Sequence, residues 1–198
     1  LHAGGAEILD IGPASSHPDS TPVSAQTEID RLTTIVPALK ALNIPISIDS
    51  YQTQTQRWAL QQNVDWMNDI HGFADPALYS DLASSDCRLV VMHAIQSAGA
   101  ATRTAPPAGD IFDHICRFFD TRLTELMKAG IDQTRIVIDP GMGFFLGDTP
   151  EPSLTMLARI DELKKIFGLP ILVSVSRKSF LRALSGRSVE DSAPVTLA

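Results

Sequence analysis

Cysteine is nearly absent: Cys87 and Cys116 are the only two in 198 residues, and no Cys-x-x-Cys pair occurs. That excludes a disulfide framework and the common zinc modules, and suits a reducing cytoplasm. No apolar run exceeds strand length, so neither a membrane-spanning helix nor a leader segment is visible. Gly-x-Gly-x-x-Gly is missing, which argues against a dinucleotide-binding fold. Cations are in deficit, 16 Lys and Arg against 23 Asp and Glu, for a net charge of −7. A surface of that sign is not built to hold nucleic acid or an anionic membrane. Any phosphorylated ligand must be met by a few local cations, amides or a metal.

What is present is a core. With 44% hydrophobic residues, residues 1–198 suffice for a single globular domain. The chain opens on LHAGG, which reads as the last turn of a helix and its glycine stop. It closes on PVTLA, where another helix is expected to begin after Pro194. Both ends therefore suggest a domain incomplete at each terminus.

Between them, strand-like and helical segments alternate. Strands are expected at 6–12, 44–49, 64–69, 87–93, 134–139 and 169–176, apolar nearly throughout. Helices are expected at 29–42, 52–63, 75–84, 110–130 and 153–168, with another from Arg177. Ile29, Leu32, Val36, Leu39 and Leu42 recur at helical spacing, as do Ile115, Phe119, Leu123 and Leu126, and Leu154, Leu157, Ile160 and Leu163. Buried strands alternating with helices define an α/β architecture with a parallel sheet, either a TIM barrel or a doubly wound sheet.

Polar residues end these strands: Asp10, Asp49, Asn68 with Asp69, His93, Asp139 and Ser176. In a barrel, these positions meet on one rim, where active sites of that fold lie. A single strand-end Asp is ordinarily a cap or turn residue, but capping does not require Asn-Asp or Met-His. Asp10 reads as structural, because its helix starts a long loop later. Asp69 is open between the two readings, and Asn68 is the better ligand. His93 reads as a hydrogen-bonded rim histidine, since no second His or Cys lies at ligand spacing. His2, His71 and His114 read as surface or helix positions. Gly141 and Gly143 either bring amides to a phosphate or simply make the turn after Pro140. Phe118 and Phe119 read as core. SRKSFL (176–181) places two hydroxyls and two cations where a strand passes into a helix. It is either a capped helix start with a solvated Arg-Lys pair or an anion site.

In order and spacing, GAEILDIG, ISIDS, MNDIHGF, VVMH, IDPGMGF and VSVSRKSF resemble dihydropteroate synthase. GPASSHPD, RLVVMHAIQ, DPGMGFFLG and SRKSFLRALSGR are similar to its sulfonamide-insensitive, mobile-element-borne branch. The resemblance implies a TIM (β/α)8 barrel of which about six units are here, the second to the seventh strands. It implies a transferase that condenses 6-hydroxymethyl-7,8-dihydropterin diphosphate with 4-aminobenzoate, giving 7,8-dihydropteroate and pyrophosphate in folate biosynthesis. Pyrophosphate leaves first, and the arylamine attacks the resulting pterin cation.

Carried onto this sequence, Asp49, Asn68, Ile70, Met92, Asp139, Phe144 and Lys178 are the pterin positions. Asp49 and Lys178 take the catalytic part. Ser16, His17 and Ser179 fall on the 4-aminobenzoate and diphosphate side. Phe145 and Leu146, where relatives tend to carry Gly-Lys, become candidates for excluding a sulfonamide. His17 stands where the family usually has Arg. Mg2+ is the implied cofactor, with its main ligand in a first strand this chain lacks, so no metal ligand is assigned here. The implied protein is cytoplasmic and a homodimer when complete, with small-molecule substrates and neither nucleic acid nor membrane as partner. Six units cannot close the barrel, so the isolated chain is expected to be inactive or poorly folded. A folate-dependent methyltransferase barrel would share the Asp and Asn residues without needing SRKS. A non-catalytic truncated product is the other alternative.

Overall fold

A computed structural model of the chain describes residues 5–176, 178–186 and 188. The turn expected over 1–5 falls almost wholly outside them; His2, Arg177 and the helix start after Pro194 lie outside them.

Five strands form one parallel sheet in the order of the chain: β1 Leu9–Ile11, β2 Ile46–Asp49, β3 Trp66–Asp69, β4 Arg88–Met92 and β5 Ile136–Asp139. Strand order that never reverses belongs to a (β/α)8 barrel, whereas a doubly wound sheet turns back at a switch point. The helices between strands are α1 Ala25–Ala41, α2 Thr53–Gln61, α3 Tyr79–Ala83, α4 Ile111–Lys128, α5 Glu151–Ala158 and α6 Ile160–Phe167; α7 is Ser179–Ser185.

The sixth expected strand, 169–176, is reduced to one bridge. Ile171 pairs with Ile138, flanked by Ile138 N–H donating to Pro170 O at 3.0 Å and Leu172 N–H to Ile138 O at 2.9 Å. Among the described residues no further strand covers its far edge, so the ladder stops there. The helix expected over 153–168 is two helices, broken at Arg159 (φ −113°, ψ 16°). Arg159 is drawn out of line by Asp110, Glu162 and the face of Phe112, 3.7 Å from its guanidinium. The break rotates the expected stripe: Met156 and Leu163 are buried, whereas Leu154 is 39% exposed. Leu42 is likewise at the exposed end of α1 rather than on its inner stripe.

The registers sort the strand residues into two faces, because side chains alternate along a strand. Ile46, Ile48, Met67, Leu89, Val91, Ile136 and Ile138 point outward and join Leu32, Val36, Ile115 and Phe119 of the helices in the main core. Asp10 lies opposite Ser47, Asp49 opposite Asn68, and Asp139 opposite Met92. These residues share the inner face. The strands are therefore not uniformly apolar; they are two-faced, with the polar face turned into the barrel.

Candidate functional site at the strand ends

Asp49, Asn68, Met92 and Asp139 are the last or near-last inner-face residues of β2, β3, β4 and β5. Asp139 is 2% exposed and its Oδ1 accepts the Gly141 N–H at 2.8 Å. Burial pushes its carboxyl up to about 6, with the Gly141 hydrogen bond and Lys178 opposing and Asp10 adding to the rise. The Asp49 carboxyl, half-buried at the rim, is pushed up to about 8, first by burial and then by the charges of Asp10 and Asp69. Asn68 donates through Nδ2 to Asp10 Oδ2 at 3.3 Å, while its Oδ1 is buried without a hydrogen-bond partner. Lys178 caps the start of α7 with its Nζ 5.2 Å from the Phe145 ring centre. Burial pulls its ammonium below the ordinary lysine range, while Asp139 and Asp49 pull the other way.

An apolar cluster closes the same rim. Ile70, Met92, Ala101 and Phe145 are buried together, with Tyr51, Ala94 and Phe144 packed against them. Beside it lies a cavity of about 210 Å3 lined by Ser16, His17, Phe144, Phe145, Ser179 and Arg182, among others. The residues read from sequence as the two halves of a site are thus brought together, with Phe145 and Lys178 standing between the halves. Leu146 is not: it is fully buried in the main core and does not line the cavity. Its side chain is a packing element, which corrects the expectation that it discriminates a drug.

Other expectations change as well. Asp69, open between two readings, is structural. It sits on the outer face of β3, where it accepts N–H groups of His71 (2.8 Å) and Phe73 (3.0 Å) and the Gln56 amide (2.8 Å). Asp10, read as structural, faces the interior beside Asn68. His93 is a core residue, fully buried, with Nδ1 3.1 Å from Pro140 O; burial pushes its pKa down to about 3, so it is neutral. His71 and His114 are half-buried rather than superficial, the first 2.8 Å from Gly99 O, the second edge-on to His93.

The two glycines of the turn are not free for a phosphate, because Gly141 gives its amide to Asp139 and Gly143 gives its own to Ser153 Oγ at 2.9 Å. Gly141 has φ +77°, and a Cβ there would lie 2.4 Å from His93 O. A side chain would therefore separate β5 from the end of β4.

Two groups escaped the sequence reading. Arg103 reaches from the 93–110 loop to chelate Asp19 and to stand over the Phe144 ring at 5.4 Å, beside His17. Asp19 and Arg103 are 84 positions apart, so no local spacing announces the pair. Arg182 lines the cavity from α7 with its Nε buried and unpartnered; its place one helical turn after Ser179 was the available signal. Another hollow, about 870 Å3, opens at the opposite ends of the strands around Asp65, Trp66 and Arg88. In barrels that end carries stability and the strand C-termini carry chemistry.

The barrel rim thus sets two carboxylates, an amide and an ammonium beside an apolar wall. All of residues 1–198 match the pterin binding enzyme family, and the chain belongs to that family. It is 57% identical over 198 residues to the type-2 dihydropteroate synthase of Escherichia coli, covering 100% of this chain and 73% of that protein. The solved dihydropteroate synthase of Burkholderia cenocepacia complexed with 7,8-dihydropteroate superposes with a TM-score of 0.85 at 29% identity, covering 99% of this chain and 71% of that one. The Xanthomonas albilineans dihydropteroate synthase with 4-aminobenzoic acid gives a TM-score of 0.87 at 29% identity, over 98% and 68%.

Proposed function

We propose that the protein carrying this chain is a dihydropteroate synthase, joining 6-hydroxymethyl-7,8-dihydropterin diphosphate to 4-aminobenzoate in folate biosynthesis. The observation that carries the reading is the alignment of Asp49, Asn68, Met92 and Asp139 on one inner face. A pterin offers an amino group and a ring N–H side by side, and a buried carboxylate accepts both. Asp139 takes that part, its Oδ1 already oriented by Gly141. Asn68 meets the mixed ring edge, Lys178 donates to the ring carbonyl, and Ile70, Met92 and Phe144 wall the ring.

In the reaction the methylene–oxygen bond breaks with its electron pair on the departing diphosphate. The arylamine nitrogen then forms the new bond to that carbon and sheds a proton. Asp49, ionised in the presence of a developing cation, stabilises the ring charge; this is electrostatic catalysis rather than proton transfer. Ser16, His17 and Ser179 hold the aminobenzoate side of the 210 Å3 cavity. Phe145, which lines that cavity with Lys178 beside its ring, occupies space a bulkier sulfonamide would need while leaving room for 4-aminobenzoate, which is specificity by clash.

Mg2+ is the cofactor the family reading brings. Among the described residues no group of three His, Cys, Asp or Glu side chains is placed to hold a metal. No step above passes through a metal. A cytoplasmic homodimer with small-molecule substrates, and with neither nucleic acid nor membrane as partner, completes the reading. Two free thiols and a net charge of −7 support it, and sedimentation velocity tests the dimer.

The direct test is pyrophosphate release from the pterin diphosphate, with and without 4-aminobenzoate. Release that depends on both substrates is expected. Methyl transfer from a folate in its place would overturn the reading in favour of a methyltransferase barrel.

A further inference from the structure

Behind the pterin face lies a buried polar chain that the reaction does not use. Glu28, on α1, is 2% exposed, and its Oε2 accepts both Ser50 Oγ and Thr55 Oγ1 at 2.6 Å. Ser50 follows Asp49 directly, and its N–H extends the β2–β3 ladder onto Asn68 O at 3.0 Å. Gln56, on α2, is equally buried. Its Nε2 donates at 2.8 Å to Ser50 O and at 2.8 Å to Asp69 Oδ2. Ser50 is the residue after Asp49 and Asp69 the residue after Asn68. One amide therefore bridges the ends of the two strands at the level of the two groups that face the pterin. Both partners are acceptors, which fixes the nitrogen as the end that faces them and uses both of its hydrogens.

We propose that Gln56 is a positioning residue, a clamp that sets the separation of Asp49 and Asn68 and thereby the fit of the pterin ring. The inference rests on the pterin-site reading above. The clamp acts on strand ends, so it bears on the half of the site built from strands. The 4-aminobenzoate cavity is built from the 13–20 loop, the 140–147 loop and α7, and none of these touches Gln56 by a hydrogen bond among the described residues. Asp69 adds rigidity from the far side, because its two oxygens also anchor His71 and Phe73 and so hold the turn that begins at Ile70. Removing the Gln56 amide strips a donor from a buried carboxylate and one from a buried carbonyl. Both losses fall at the pterin side.

Steady-state kinetics on Gln56→Met and Gln56→Glu test the clamp, with melting curves as the control for folding. Gln56→Met keeps the bulk and loses both donors. Its KM for the pterin diphosphate is expected to rise about tenfold, with the KM for 4-aminobenzoate changed less than about twofold, since only pterin contacts are displaced. Gln56→Glu faces Asp69 with a second acid. When protonated it supplies one O–H donor; when ionised it supplies none and repels its neighbour. Its pterin KM, relative to the unsubstituted protein, is therefore expected to worsen from pH 6 to pH 8. A lowered melting temperature with both KM values unmoved, or moved equally, would show a merely structural residue. Should Gln56→Met fail to fold, the pH slope of Gln56→Glu decides, and a flat slope overturns the clamp. Absence of pterin-dependent release by the unsubstituted protein would instead sink the functional reading.

Discussion

Met92 and Asp139 stand opposite one another in the β4–β5 ladder. The thioether proposed to wall the ring and the carboxylate proposed to read its edge thus share one register contact. The Asp139 backbone continues that contact by accepting His93 N–H at 2.8 Å. A slip of β5 by one residue would turn Asp139 to the outer face while Met92 stayed on the inner one, so pterin affinity is expected to gauge the barrel register.

Asp139→Asn is expected to leave the fold intact and to weaken pterin binding about a hundredfold, because a paired N–H acceptor becomes half donor. In the unsubstituted protein the Asp139 carboxyl titrates at about 6. Pterin affinity should therefore hold above that pH and fall about tenfold per pH unit below it. Titration calorimetry from pH 5 to pH 8 reads both effects, and a flat profile would remove Asp139 from the ring edge.

Asp49 resists ionisation in the free protein. Burial and the neighbouring charges of Asp10 and Asp69 push its carboxyl up to about 8, so the folded state holds the proton more tightly than the unfolded chain does. The sign follows: the destabilisation begins as pH rises past about 4 and is complete above about 8. Asp49→Asn should then abolish turnover while raising the melting temperature, by roughly 5 °C at pH 8 and less at pH 5. Equal melting points at both pH values would refute the buried-charge account.

Gly141→Ala forces a left-handed backbone on alanine and a Cβ to 2.4 Å from His93 O. The conformation alone costs about 1–3 kcal/mol, and the overlap adds to it. Chemical denaturation should show that loss with pterin affinity falling in parallel, because the Gly141 amide also orients Asp139.

Phe145 and Leu146 should part company under substitution. Phe145→Gly opens the cavity wall, and sulfonamide inhibition is expected to strengthen tenfold or more, about 1.4 kcal/mol, with the 4-aminobenzoate KM altered much less. Leu146→Ala leaves a cavity in the main core and should cost about 2–5 kcal/mol of stability with sulfonamide inhibition unchanged. Unchanged inhibition in Phe145→Gly would end the clash account.

Much of this was readable in the sequence, for definite reasons. Ile115, Phe119, Leu123 and Leu126 gave α4 its inner stripe because a capped, uninterrupted helix obeys its period. The strand ends pointed to the rim because polar groups closed strand after strand, which capping alone does not require. The two-faced strands were missed although Leu9-Asp10-Ile11 and Ile46-Ser47-Ile48-Asp49 alternate plainly; reading the strands as wholly buried hid the alternation, and with it the inward aim of Asp10 and the outward aim of Asp69. The break at Arg159 was not legible, because it comes from Asp110 and Phe112, distant in the chain. The same is true of Arg103 over Phe144 and of the Glu28–Gln56 network, whose partners meet only once the barrel has formed.

The site divides along a structural seam. Its proposed pterin half stands on strand ends locked by a shared ladder, and its proposed aminobenzoate half hangs on loops and a short helix. Variation in the second half leaves the barrel's hydrogen bonds untouched, whereas variation in the first must be absorbed by the whole sheet. A drug that imitates 4-aminobenzoate therefore presses on the part of the protein freest to change. An inhibitor shaped to the pterin half would meet a target whose escape routes run through its own folding.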